Sequence, residues 1–159
     1  KVGVTDCILV DLDFNARFSA KQRYYVYKII NRPSVNIINA GLQYWVREPL
    51  DVELMREAAS YLIGKHDFSS FRAAQCQSSS PVKTISNIEI TREGDNIEIY
   101  VSAISFLHHM VRNIVGNLLQ VGKGIWPPEK MKEILEQRNR SRGAPTAPAE
   151  GLYFLKVDY

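Results

Sequence analysis

The 159-residue sequence predicts an α+β fold, in which a largely antiparallel sheet carries helices packed on one of its faces. Segments 83–91 and 97–104 alternate apolar and polar residues and are joined by a short Glu-Gly-Asp-Asn turn, which is the pattern of a β-hairpin. Segment 105–122 instead repeats apolar residues at intervals of three and four, which is the pattern of a packed helix. Because strands and helices do not alternate regularly along the chain, we do not expect a parallel βαβ sheet.

The predicted helix from Ser105 to Gly122 carries apolar side chains over an arc of about 220°, too wide for a surface helix. We therefore expect it to be the central core helix, with Ser105 as its N-cap and Gly122 or Gly124 as its left-handed end. Arg112 lies at the margin of this arc, and an unpaired buried charge costs several kcal/mol. We expect its head to meet a carboxylate or to reach water. The polar side of the helix is predicted to hold His109, Asn113, Gly116 and Asn117.

The remaining elements follow from local composition and capping residues. In chain order they are strands at 2–12 and 23–31, helices at 51–63 and 127–137, and a final strand at 152–158. Asp51 is the expected cap of the first helix. Alternation along the second strand predicts one face that carries Tyr25, Tyr27 and Ile29. Segment 67–81 has no period, but Phe68 and Phe71 indicate an ordered loop.

Composition and motifs argue against several classes of protein. A net charge of +3 is only mildly basic and does not by itself establish a nucleic-acid partner. Cys7 and Cys76 show neither a disulfide nor a metal spacing and favour reduced thiols in a cytoplasmic protein. The sequence has no run of about 18 apolar residues, so we expect no membrane span. The three histidines form no zinc motif, and Gly-x-Ser-x-Gly is absent, so we expect neither a metal site nor a serine hydrolase.

Four motifs occur in order along the chain: F-N-A-R-F-S-A with R-Y-Y-V-Y (14–27), F-S-S-F-R-A-A-Q-C-Q-S-S-S-P (68–81), F-L-H-H-M-V-R-N-I-V-G (106–116) and T-A-P-A-E-G-L-Y (146–153). Together they closely resemble the C-terminal portion of the TruA-type tRNA pseudouridine synthases. The resemblance implies a cytoplasmic homodimer that isomerises uridine to pseudouridine in the anticodon arm of tRNA. It implies no cofactor and no metal, and it requires the uridine to leave the base stack. It also implies that residues 1–159 are a single C-terminal domain, half of a pseudouridine synthase fold, with residues 1–31 the connecting strands from an N-terminal half.

By position in these motifs, the resemblance implies that Tyr25 and Arg112 are catalytic and that Leu152 lines the active site. A tyrosine offers a flat face for the uracil and a hydroxyl for proton transfer, and an arginine can orient a carboxylate and keep it ionised. The family's catalytic aspartate stands in a G-R-T-D motif well before F-N-A-R-F, and the chain starts too late to include it. Asp6 lacks the arginine and the glycine of that motif, so we do not assign it the role. We expect the chain alone to be inactive.

RNA contacts are expected from a set of basic residues, namely Arg17, Lys21, Arg23, Arg72 and His109. Lys83 stands where the family more often has arginine. The sequence leaves a second function open, a non-catalytic RNA-binding or dimerisation module of ferredoxin-like topology, in which the tyrosines at 24, 25 and 27 stack on unpaired bases.

Overall fold

The computed structural model describes residues 2–35, 37 and 40–159. Within these residues the elements are β1 (Gln22–Asn31), β2 (Tyr44–Val46), α1 (Val52–Ser60), β3 (Gly64–Asp67), β4 (Val82–Glu93), β5 (Asn96–Ala103), α2 (Met110–Gly122), α3 (Lys130–Gln137) and β6 (Leu152–Asp158). Short 3-10 turns lie at Ser69–Phe71, Arg140–Arg142 and Ala149–Gly151. The α+β class is therefore confirmed, and so are the hairpin of β4 and β5 and the final strand.

Strand β1 pairs with three other strands of the sheet. One of its edges runs antiparallel to β5, and its other edge runs antiparallel to β6 and then parallel to β2. The strand order is β2-β1-β5-β4-β3, with β6 beside β1. The elements β1, α1, β4, β5, α2 and β6 follow the β-α-β-β-α-β order of a ferredoxin-like split βαβ unit. This order is compatible with both functions that the sequence leaves open.

Helix α2 lies in the core as its apolar arc predicts. All its apolar residues and the neighbouring Leu107 are buried, and Phe106 packs at the margin. A Cβ at Gly122 would lie only 2.7 Å from the sulfur of Met55, so α1 and α2 approach closely at this glycine. Phe68 and Phe71 are fully buried, which confirms that the 67–81 segment is an anchored loop.

The predicted start of α2 at Ser105 is wrong. The helix begins at Met110, after His109, whose φ of 59° is left-handed. The backbone before it is held in a non-helical path because the guanidinium of Arg23 donates to Ile104 O and the amide of Ala73 donates to His108 O. The predicted polar side of the helix is also wrong, since Asn113, Gly116 and Asn117 are buried against other parts of the chain.

The predicted strand at 2–12 is wrong as well. The structure shows no strand there, and its apolar side chains are exposed. A strand needs a neighbour for its backbone hydrogen bonds, and no described residue pairs with this segment. The short strands β2 and β3 were not predicted, because three or four residues carry too little alternation.

The two flanking helices are shorter than predicted. Helix α1 ends at Ser60 and α3 begins only at Lys130, while Asp51 accepts from the amides of Glu53 and Leu54 and so caps α1 as predicted. Among the described residues, none of the helices has the length and apolar character needed to cross a membrane.

Candidate functional site

A cleft of about 800 Å³ opens between the start of β1, the 72–79 loop and the segment that links β5 to α2. Among the described residues, its lining includes Arg17, Arg23 and Lys83 but no aspartate or glutamate. Phe18, Tyr25 and Phe106 also line the cleft. The volume suits a ligand of nucleotide size, and a lining that combines cations with aromatic rings suits a nucleic-acid strand.

Tyr25 is held as a rigid ring at this cleft. Its ring centroid lies 5.1 Å from that of Phe106 and 5.2 Å from that of Phe154, both in edge-to-face arrangements. Its hydroxyl makes no hydrogen bond within the described residues. Partial burial raises the pKa of Tyr25, with a smaller opposing effect from the charge of Arg23, so the phenol is protonated at neutral pH. The site therefore presents a neutral, fixed phenol with its hydroxyl unengaged.

Arg112 lies in the first turn of α2 and is half-buried. Its Nε donates to Ala147 O at 2.7 Å, and the amide of Ala147 donates to the carbonyl of Arg112 at 3.1 Å. Within the described residues it forms no ion pair, and its terminal nitrogens have no hydrogen-bond partner. The residues that line the cleft around Tyr25 do not include Arg112. The guanidinium is thus fixed at one nitrogen and available at two.

Tyr27 connects Arg112 to the face of the sheet that carries Tyr25. Strand register places Leu152 opposite Tyr27 and Phe154 opposite Tyr25. The Tyr27 hydroxyl donates to Pro148 O at 2.7 Å. Burial raises the pKa of Tyr27 strongly, and the charge of Arg112 opposes this effect. Tyr25, Leu152 and Tyr27 therefore lie on one face of β1 and β6, with Arg112 close to Tyr27.

Two of the predicted RNA ligands brace the walls of the cleft. The guanidinium of Arg23 donates to the carbonyls of Arg17 and Ile104. Nη2 of Arg72 donates to the carbonyls of Cys76 and Ser78, at 2.8 and 2.7 Å. Arg23 thus ties the segment before β1 to the end of β5, and Arg72 closes its own loop.

The other predicted ligands differ in position. Arg17 lines the cleft, with its guanidinium carbon 5.4 Å from the ring centroid of Phe18, while Lys21 is exposed and lies outside the lining. His109 lies next to Arg112, and burial, then His108 and Arg112, lower its pKa, so its imidazole is neutral at pH 7. Its ring lies 3.9 Å from that of His108. Among the described residues no group of three or more possible ligands is placed to hold a metal ion.

Lys83 lines the cleft, although the sequence marked it only as a departure from the family pattern. It stands near the start of β4, directly after the loop whose residues 75–79 also line the cleft. The local pattern predicts the strand but not the packing of this loop near the start of β1, so it did not assign Lys83 to the cleft.

Proteins of similar sequence identify the family of this chain. A family profile described as tRNA pseudouridine synthase matches residues 58–159. The tRNA pseudouridine synthase A proteins of Ehrlichia ruminantium strains Gardel and Welgevonden are 57% and 56% identical over 158 residues, covering 99% of this chain. The chain spans 64% of the length of these relatives. The chain belongs to the tRNA pseudouridine synthase family, as its four motifs predict.

Proposed function

We propose that the protein containing this chain isomerises uridine to pseudouridine in the anticodon arm of tRNA, in the cytoplasm and as a homodimer. The observation that carries the proposal is the basic cleft, with no aspartate or glutamate among its described lining residues and with the fixed ring of Tyr25 on its wall, in a chain of this family. The names of the relatives support tRNA as the substrate. The motif resemblance supports the anticodon arm and the dimer.

Tyr25 is proposed to receive the flipped uracil. Phe106 and Phe154 hold its ring from two sides, so the ring presents a flat surface without losing conformational entropy on binding. The protonated hydroxyl, which has no partner among the described residues, is available to donate to or accept from the base.

Arg112 is proposed to pair with the catalytic carboxylate. Its two terminal nitrogens have no partner among the described residues, and a guanidinium binds a carboxylate best through two parallel hydrogen bonds. No carboxylate of the described residues lies within ion-pair distance of Arg112. The relatives are longer than this chain, and we propose that the carboxylate belongs to the part of the protein that these 159 residues do not include.

We propose that the RNA follows the polar side chains that do not donate to backbone carbonyls of the described residues. The side chains of Arg17 and Lys83 line the cleft and make no hydrogen bonds to other described residues, so these two are the proposed phosphate ligands there. Outside the cleft, Lys21 is proposed to extend the contacts by its charge, and His109 as a neutral hydrogen-bonding group. Arg23 and Arg72 contribute positive potential while they brace the walls.

The test compares the 159-residue chain with the product of the complete open reading frame that contains it, on an unmodified tRNA transcript. The proposal predicts pseudouridine in the anticodon arm from the complete protein and none from the 159-residue chain. Tyr25→Phe and Arg112→Gln in the complete protein are expected to lower the rate by about a hundredfold or more. The matched control Arg142→Gln, at an exposed position, is expected to leave it unchanged.

The outcomes separate the proposal from the second candidate, a non-catalytic RNA-binding module, which the ferredoxin-like element order favours. A complete protein that binds the transcript and forms no pseudouridine would establish the module and refute the synthase. Turnover by the 159-residue chain alone would refute the proposed origin of the carboxylate.

A further inference from the structure

The loop of residues 144–148, which follows the 3-10 turn at Arg140–Arg142, is hydrogen-bonded to two buried asparagines of α2. Asn113 is 1% exposed, and its Oδ1 accepts from Thr146 Oγ1 at 2.7 Å. Asn117 is fully buried, and its Oδ1 accepts from the amide of Ala144 at 2.9 Å. The loop is thus held at two points, one helical turn apart along α2.

Between these points the loop backbone lies directly against the helix backbone. A Cβ at Gly116 would come within 2.1 Å of Pro145 O. No side chain separates the two backbones at this position, so a small displacement of the loop meets the helix itself.

A third group completes the attachment. Nη2 of Arg140 donates to Asn113 Oδ1 and to Thr146 Oγ1, both at 3.1 Å. Nδ2 of Asn113 donates to Phe71 O at 2.8 Å. The orientation of the Asn113 amide is therefore determined on both sides, and its oxygen faces Thr146.

The far end of the same loop determines how Arg112 is held. Ala147, the residue after Thr146, accepts from Arg112 Nε and donates to the Arg112 carbonyl. Pro148 accepts from the Tyr27 hydroxyl. The planar guanidinium has five donors in one fork, so fixing Nε sets the direction of the two terminal nitrogens.

We propose that Thr146 and Asn113 are positioning residues for Arg112, acting through the carbonyl of Ala147. This inference rests on the proposed function, in which the terminal nitrogens of Arg112 hold the catalytic carboxylate. Neither Thr146 nor Asn113 touches the substrate. Their hydrogen bond keeps the loop where Ala147 O accepts from Arg112 Nε, which leaves the two terminal nitrogens without a partner among the described residues.

The test is made in the complete protein with three variants. Thr146→Val keeps the shape of the side chain and removes the hydroxyl, Thr146→Ser restores the hydroxyl, and Thr91→Val makes the same change at an exposed position of β4. Thr146→Val is expected to lower kcat by about ten- to a hundredfold, because a displacement of about 1 Å at a reacting group has effects of this size. KM and the tRNA dissociation constant are expected to stay within about twofold.

The matched variants separate positioning from general destabilisation. Thr146→Ser is expected to recover most of kcat, and Thr91→Val is expected to behave as the wild type. An unchanged kcat in a folded Thr146→Val protein, or a raised KM at constant kcat, would overturn the inference. If Thr146→Val does not fold, Thr146→Ala removes the same hydroxyl without the second methyl group and is judged by the same criteria.

A second readout tests the geometry independently of turnover. In the wild type the Nε proton of Arg112 is expected to exchange slowly with solvent, as measured by NMR, because Ala147 O accepts it. It is expected to exchange at least about tenfold faster in Thr146→Val, since a loop that opens more often exposes the proton. Equal exchange in both proteins would refute the positioning role. If the wild-type protein forms no pseudouridine, the proposed function is refuted. The exchange rate of the Arg112 Nε proton still tests whether Thr146 positions Arg112.

Discussion

Replacing Lys83 by glutamine tests whether the cleft binds RNA through the cations that have no partner among the described residues. The change removes one positive charge from the lining and keeps a polar side chain of similar length. If Lys83 meets one phosphate, the variant releases one counterion fewer when it binds tRNA. The slope of log K against log salt should then become shallower by about 0.9 at a duplex phosphate or about 0.7 at a single-stranded one.

This slope gives a measurable magnitude. Salt rises fourfold between 50 and 200 mM, so a slope difference of about 0.7–0.9 changes the ratio of the two affinities by roughly threefold. The wild-type advantage should therefore shrink by this factor over the range. The assay is the dissociation constant of a tRNA transcript, measured by fluorescence anisotropy at several salt concentrations with the complete protein.

Two controls make the result specific. Lys65→Gln changes an exposed lysine on the neighbouring strand β3 that does not line the cleft, and its slope should equal that of the wild type. Arg72→Met removes a guanidinium that braces the 72–79 loop, so it should weaken binding at every salt concentration and change the slope less than Lys83→Gln does. A normal slope for Lys83→Gln together with a shallower slope for Arg72→Met would refute the assignment of the two roles.

Three further predictions concern stability, each measured by urea unfolding. Gly116→Ala should destabilise the fold by about 1–3 kcal/mol, because the new Cβ would lie 2.1 Å from Pro145 O. Helix propensity alone would make alanine stabilising at this position, so a gain in stability would contradict the close contact. Asp51→Ala should cost about 0.5–2 kcal/mol by removing the cap of α1, and Asp51→Asn should cost less, so equal losses would count against capping. Hydrogen bonds from Tyr100 and then Lys28 lower the pKa of Glu98 in the folded protein. The ionised carboxylate therefore stabilises the fold fully above the pKa of the unfolded state, about 4.3, and this stabilisation is lost as the pH falls through the lower pKa of the folded state. Glu98→Gln should therefore lose less stability than the wild type below about pH 4, and parallel acid curves would refute this.

Local patterns in the sequence were sufficient for the elements that depend on near neighbours. The alternation of β4 and β5, the apolar arc of α2 and the cap at Asp51 all involve residues within one element, and the structure confirms them. The start of α2 was not predictable in this way. It depends on Arg23 from β1 and on Ala73 from a distant loop, which hold the backbone before His109 out of the helix.

Long-range packing also explains the other errors. Asn113 and Asn117 read as a polar helix face, yet they are buried because a loop about thirty residues later supplies their partners. The 2–12 segment has the composition of a strand but no ladder partner among the described residues. β-propensity indicates that a segment can form a strand, but it does not show whether the fold places a partner strand beside it.

For the site, the motifs identified the residue types but not their contacts. Tyr25 lies at the cleft and the two terminal nitrogens of Arg112 have no partner among the described residues, while the catalytic roles of both residues remain proposals. Arg23 and Arg72 looked like phosphate ligands because their charges are visible in the sequence. Their backbone carbonyl partners cannot be recognised in the sequence, because every residue has a backbone carbonyl.

In the proposed site, this chain holds Arg112 by Nε and leaves its two terminal nitrogens for an acid from the rest of the protein. The direct test is a crystal structure of the complete protein. We expect a carboxylate from outside these 159 residues within about 2.7–3.2 Å of both terminal nitrogens of Arg112, with Ala147 O still accepting from Nε. A fork that faces solvent with no carboxylate nearby, or that pairs with an acid of this chain, would contradict it.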